Sequence, residues 1–254
     1  MTPPIDQPEP QTEDSFDGRD AFLSMPFLDH LEEFRKRILK SIMAMVVTVG
    51  AAMYYSKEIM QWFVAPLHGV KLTVTEVMGS FMAYFKIGLV VGFAAATPFV
   101  FYQLWSFVSP GLYPKERRMV IPFVTSATVL FLGGCAFCYY LVLPWSLQFM
   151  IGLAGDIFNP LITINSYITF AGVLILGFGA CFEMPVVAYI LGKLGVVSSA
   201  FLSKGRRIAI VVILVVAAVV TPTPDIFTQL LLAIPMYALY EISIIVVRFT
   251  GRRG

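Results

Sequence analysis

Two carboxylates stand where a membrane rim needs none: Glu33 in HLEEFRKR and Glu116 in GLYPKERRMVIP, each inside a basic cluster. A carboxylate accepts a two-pronged hydrogen-bonded pair from a guanidinium, and partial desolvation strengthens that charge-assisted contact. Two such groups held on one rim suit a ligand carrying two arginines. The flanking cations, Arg35 among them, repel a simple cation, so the ligand must bring further binding energy. An apolar segment entering the bilayer would supply it. Each site also has a plainer reading. Glu33 lies one turn before Arg37, the spacing of an i,i+4 helix pair that contributes a few tenths of a kcal/mol. Glu116 could simply balance Lys115, Arg117 and Arg118. Its connection, residues 109–118, opens with Ser-Pro-Gly and holds Pro114, which makes a stiff turn and presents the carboxylate in a defined place.

The elements that carry these groups follow from composition. The 254 residues are 58% hydrophobic and 13% charged, against about 45–50% and 25% in soluble domains, so the chain reads as an all-α integral membrane protein. Six apolar segments occupy 38–55, 87–108, 119–143, 167–191, 208–220 and 226–247. The fifth is too short for a hydrocarbon core about 30 Å thick; the fifth and sixth are expected to be short helices, as two spans or as a re-entrant hairpin. Fourteen Lys and Arg residues fall on one rim, and only Lys57 and Lys71 on the other. The positive-inside rule then puts both termini in the cytosol.

Residues 1–24 hold many acids and prolines and read as a disordered cytosolic tail. Residues 25–248 form the membrane domain, and 249–254 a short basic tail. Phe27, Leu28, Leu31, Phe34 and Ile38 recur at helical spacing, which predicts an amphipathic surface helix leading into the first span. The outer loops, 56–75 and 144–166, are rich in aromatic and aliphatic residues and are expected to pack as a cover or lie in the interface. Pro98, Pro122, Pro185 and Pro235 predict bends, hence a curved, open bundle.

Ionisable groups near or within spans are functional candidates because of their insertion cost. Glu183 stands out, since it follows the small-residue run 177–181 and precedes Pro185. The removed amide leaves a carbonyl unpaired and makes a polar patch in the membrane. Its alternative is an interhelical hydrogen bond and nothing more. Lys86 and Glu241 lie nearer span ends, where Lys86 can snorkel. Asp225 in TPTPD suits the N-cap of the sixth helix, and Pro66 shapes the first outer loop. Cys135 and Cys138 have CxxC spacing, but within FLGGCAFCYYLVL they read as packing thiols, as does Cys181. His30 and His68 are the only histidines, too few for a metal or catalytic cluster. No cofactor and no enzymatic activity are expected, and no GxxxxGK[ST] sequence for ATP is present.

Taken jointly, HLEEFRKR, the APL of residues 65–67, SPGLYPKERR, FEMP and TPTPDIFTQLLLAIPMYALYE resemble the TatC family. These are the signal-peptide receptors of the twin-arginine protein translocase. The resemblance runs from about Phe27 to Arg248 and leaves the acidic tail outside. It implies a cupped, open bundle of six transmembrane helices in the bacterial cytoplasmic (inner) membrane. It also implies that Glu33 and Glu116 bind the paired arginines of a signal peptide, with Arg35 shaping the site. Glu183 would face partner helices. The expected partners are folded substrates bearing such peptides, single-span TatA- and TatB-type subunits, and further copies of this chain, with the proton-motive force as driver. The competing class is a proton-coupled small-solute carrier using Glu183, Lys86 and Glu241. Sparse mid-span polarity and the absence of an internal repeat argue against it.

Overall fold

The computed structural model describes residues 27–67, 72–108, 120–154, 161–221 and 225–250. The acidic tail, the last four residues and the connection bearing Glu116 lie outside them. In chain order the helices are α1 (Phe27–Tyr54), α2 (Ser56–Phe63), α3 (Gly79–Val108), α4 (Val120–Phe137), α5 (Leu143–Ala154), α6 (Ile164–Phe182), α7 (Met184–Lys193), α8 (Ser199–Lys204), α9 (Arg206–Val220) and α10 (Ile226–Thr250). A 3-10 turn, Ala65–Leu67, follows α2, and a π turn, Cys138–Val142, joins α4 to α5. Among the described residues the one β feature is an isolated bridge between Thr73 and Thr163.

Five stretches are long and apolar enough to cross a membrane: Leu31–Tyr54, Gly79–Phe107, Val120–Leu153, Ile164–Lys193 and Ile226–Phe249. Four sequence expectations need correction. The predicted surface helix is the first part of α1, which runs unbroken from Phe27 into the span. The second helix starts at Gly79, two turns before the apolar run at 87, so Lys86 sits inside it. The third stretch passes Pro144 and ends at Ala154. A π turn just before Pro144 absorbs the missing amide and lets the helix continue. The sixth helix is long rather than short, at 25 residues, because Pro235 is carried within it. The fifth is short as expected: the 15 residues of α9 rise only about 22 Å at roughly 1.5 Å each.

Proline positions have separate consequences. Pro122 lies in the first turn of α4, where a helix tolerates a missing amide. Pro185 opens α7 after a break at Glu183, so the expected fourth span is two helices, α6 and α7.

Helix α3 is the hub, packing on α1, α2, α4 and α6, while α10 packs on α7, α8 and α9. Positions Ile168, Ala171, Leu174 and Phe178 of α6 are fully enclosed, and their spacing of three and four defines its inward face. Lipid tails are as apolar as leucine, so helices in a bilayer associate through close approach and polar contacts rather than apolar burial. The α1–α3 crossing shows this. Gly88 and Gly92 form GLVVG on α3, and a Cβ on Gly92 would lie 2.5 Å from the Val49 Cα. The Thr48 hydroxyl donates to the Gly92 carbonyl at 2.8 Å. Backbones meet where no side chain fits.

The outer segments are tied to the helices beneath. Tyr139 and Tyr167 donate their hydroxyls to the carbonyls of Trp62 and Phe63, and Trp62 stacks on Tyr139 with centroids 4.0 Å apart. Thr73 donates its amide to Ile162 and accepts from Ile164, joining both outer segments. Met60, Phe63 and Leu67 are buried beneath.

Two outcomes follow. Gly92→Ala should destabilise the detergent-solubilised protein by about 1–3 kcal/mol, the usual cost of overpacking. Gly50→Ala, where a new Cβ meets nothing within 4 Å, should be nearly neutral; equal unfolding midpoints for the two would contradict the close crossing. Tyr167→Phe leaves the buried Phe63 carbonyl without its donor and should cost about 1–3 kcal/mol, read as faster proteolysis within residues 56–75.

Candidate functional site

Helix α1 carries Glu33 two turns from its start, and helical spacing puts Arg37 directly over it. Arg37 donates from Nη2 and Nε to the same carboxylate oxygen, Oε1, at 2.6 and 3.0 Å. Its Nη1 reaches Gln103 Oε1 of α3 at 3.4 Å. Among the described residues no donor reaches Glu33 Oε2. The two charged side chains are 27% and 25% exposed. The neighbouring Glu32–Lys36 pair is 61% and 66% exposed. Identical spacing on one helix thus gives one solvated pair and one half-enclosed pair, and the difference is the contact with α3. Arg35 is exposed, on the other side of α1 from that contact.

Beside this pair an apolar groove of about 240 Å³ runs between α1 and α3, lined by Phe34, Arg37, Ile38, Ile42, Gln103 and Phe107. Phe34 meets Phe107 with ring centroids 5.1 Å apart. The groove exists because α1 touches little but α3: only 6% of its membrane window is buried. A carboxylate that already holds one guanidinium, next to an unfilled apolar channel, can take a basic group followed by a greasy segment. Sequence reasoning found Glu33 but missed Gln103, a lone amide in FVFYQLWSF, and missed the GLVVG motif that brings the two helices together. That four-residue glycine spacing was the available signal. Glu116 lies outside the described residues, so its distance from Glu33 is not part of this geometry.

The remaining candidates fall at separate places. Glu183 terminates α6, its amide bonded to the Ala180 carbonyl at 3.1 Å. Its Oε1 is buried with no hydrogen-bond partner among the described residues. It lines a cavity of about 470 Å³ with Phe93, Thr97, Phe101 and Phe131. Lys86 donates to Thr169 Oγ1 at 2.9 Å, a cross-link from α3 to α6. Glu241 accepts two bonds from Arg206, at 2.8 and 3.0 Å, and one from the Tyr237 hydroxyl at 2.9 Å. That cluster ties α9 to α10. Asp225 caps α10 as expected, its carboxylate accepting from the Thr228 amide at 2.6 Å. Pro66 occupies the 3-10 turn that ends the α2 segment. The thiols of Cys135, Cys138 and Cys181 are free, and Cys138 is fully buried.

Residues 29–235 match the family model described as "Sec-independent protein translocase protein (TatC)". Among curated relatives, the Sec-independent protein translocase protein TatC of Carboxydothermus hydrogenoformans is 38% identical over 227 residues, covering 89% of this chain and 93% of that protein. The protein of the same name from Aquifex aeolicus is 37% identical over 235 residues, covering 90% and 97%. A crystal structure of the twin arginine translocase receptor TatC superposes with a TM-score of 0.79 at 36% identity, covering 87% of this chain and 99% of that one. A second structure of that receptor, in DDM, gives 0.80 over 86% and 99%. With five apolar helices of spanning length, this is a multi-pass membrane protein. Likeness in sequence and in structure covers nearly the whole length of each relative, and the chain belongs to the TatC family of Sec-independent protein translocase proteins.

Proposed function

We propose that this chain is the signal-peptide receptor and core membrane subunit of a twin-arginine translocase exporting folded proteins. The observation that carries the reading is Glu33, half-enclosed and engaged by a guanidinium beside the α1–α3 groove. The resident Arg37 occupies the carboxylate as an incoming arginine would, while Gln103 offers Arg37 an alternative acceptor. Glu116 supplies the second carboxylate, and exposed Arg35 shapes the approach. The ligand's apolar segment takes the groove. Support comes also from the solved relatives, whose name is twin arginine translocase receptor.

The finer architecture belongs to the same proposal. Six helices, with α9 as the fifth span, form a cupped bundle in a bacterial inner membrane with both termini cytosolic, since fourteen of the rim cations share one side. Residues 1–24 are a cytosolic tail outside the membrane domain of 25–248, followed by a short basic end at 249–254. Asp225 and Pro66 set the outer turns. Partners are TatA- and TatB-type single-span subunits and further copies of this chain, and the proton-motive force drives transport. Glu183, whose buried Oε1 has no hydrogen-bond partner among the described residues, accepts a polar group from a partner helix. Short α9 thins the adjoining bilayer, and a packed partner relieves that mismatch.

Glu33→Ala with Glu116→Ala is expected to abolish binding of a twin-arginine peptide in a fluorescence titration. The parent should bind a twin-lysine peptide more weakly, since lysine lacks the planar fork. Unchanged affinity in the double variant would remove these residues from the site. Photo-crosslinkers placed along residues 208–220 should capture a single-span partner; a helix that never does so would refute the α9 assignment.

A further inference from the structure

Arg37 stands between two acceptors and serves them unequally. Toward Glu33, its Nη2 and Nε lie 2.6 and 3.0 Å from one oxygen, Oε1. Toward α3, its Nη1 lies 3.4 Å from Gln103 Oε1, beyond the roughly 2.7–3.2 Å of a well-made N–H···O bond. The first contact is complete and the second half-made. Gln103 is only 6% exposed, so packing holds its amide in place and little water reaches it. An enclosed carbonyl oxygen at the edge of bonding distance gains when its donor moves closer.

The carboxylate is divided as well. Both Arg37 donors converge on Oε1, and no donor among the described residues reaches Oε2. A guanidinium in its best geometry takes both carboxylate oxygens side by side. Arg37 does not, and Oε2 is left for a second donor. A guanidinium arriving there meets a like charge on the same group, where enclosure strengthens the repulsion. Gln103 is the acceptor within 3.4 Å to which Arg37 can retreat while keeping a hydrogen bond.

Granted the receptor function proposed above, on which this step rests, we infer that Arg37 is a resident competitor for the Glu33 site. Gln103 is the acceptor that receives it, so ligand binding exchanges one guanidinium for another. In the free chain Glu33 then never stands as a bare, half-enclosed charge, which would be costly. Every arriving cation must displace Arg37, so an isolated basic side chain holds the site too weakly. A ligand needs its second arginine and its apolar segment together. If the Arg37 contacts were only a strut between α1 and α3, loss of either residue would weaken binding. Exchange gives opposite signs: losing Arg37 tightens binding, and losing Gln103 weakens it only while Arg37 is present.

The test titrates the full chain in nanodiscs with a fluorescent peptide carrying two adjacent arginines and an apolar segment, read by anisotropy. Arg37→Gln should bind roughly fivefold tighter, about 1 kcal/mol at about 1.4 kcal/mol per tenfold. Arg37→Met, which keeps the stem lining the groove, should tighten binding likewise. Lys40→Gln removes an exposed charge from the same helix and should change affinity by less than about twofold, since solvated charges are screened. Gln103→Met should weaken binding about threefold, the lower range for one hydrogen bond, and should have no effect when combined with Arg37→Gln. Glu33→Ala is measured beside them. If it leaves affinity unchanged, the receptor reading fails and carries the exchange with it. If it weakens binding while neither Arg37 variant tightens it, the exchange alone is overturned. A gain in Lys40→Gln equal to that in Arg37→Gln assigns the effect to net charge and overturns the exchange. So does a Gln103→Met loss that persists without Arg37.

Discussion

The contact on which the site depends is the crossing of α1 and α3. In water, an apolar helix like α1 would be driven onto its neighbours; in hydrocarbon it is not. What holds it is backbone approach at Gly88 and Gly92, reinforced by the Thr48 hydroxyl on the Gly92 carbonyl. That crossing fixes the rotation of α1, and the rotation decides which of two adjacent glutamates meets α3. Glu33 does, with Arg37 and Gln103 around it; Glu32 faces outward. A rotation of α1 by about 100°, one residue's step around the axis, would exchange their roles without changing a residue. Glycine packing in mid-span is therefore a determinant of chemistry at the rim.

Polar side chains act elsewhere as sparse fasteners. Lys86 joins α3 to α6, Arg206 and Tyr237 gather on Glu241, and two tyrosines hold the outer segments by backbone carbonyls. The first two link helices that also pack on one another. The Arg206–Glu241 pair is 46% and 32% exposed, so solvent screening limits its worth; its two-pronged geometry sets the angle between α9 and α10 more than it sets stability.

Much of this was legible from the chain alone, for identifiable reasons. Apolar runs bounded by charge locate membrane helices, because the bilayer responds to composition. The Asp225 cap was readable because it is local; Pro185 promised a bend, and the chain breaks there into two helices. Helix ends were less so. An apolar window cut at the charge of Lys86 does not see that Gly79–Lys86 belongs to the same helix, or that Pro144 is carried through by a π turn. Pairing between helices was least visible. Gln103 lies sixty-six positions from Arg37, and nothing in FVFYQLWSF marks it as a partner. The glycine spacing in GLVVG was a signal left unread.

The π turn at Cys138–Val142 also has an azimuthal effect. One extra residue in a helical turn swings everything downstream by about 100° around the axis, given roughly 3.6 residues per turn. The direction in which Ser146 and Leu147 point, both enclosed at 0% and 6% exposure, is thus inherited from a widened coil several residues earlier. Shortening that coil by one position would leave hydropathy untouched and the chain as insertable as before. The outer half of the rod would nonetheless turn its lining to the lipid, an error of phase rather than of greasiness.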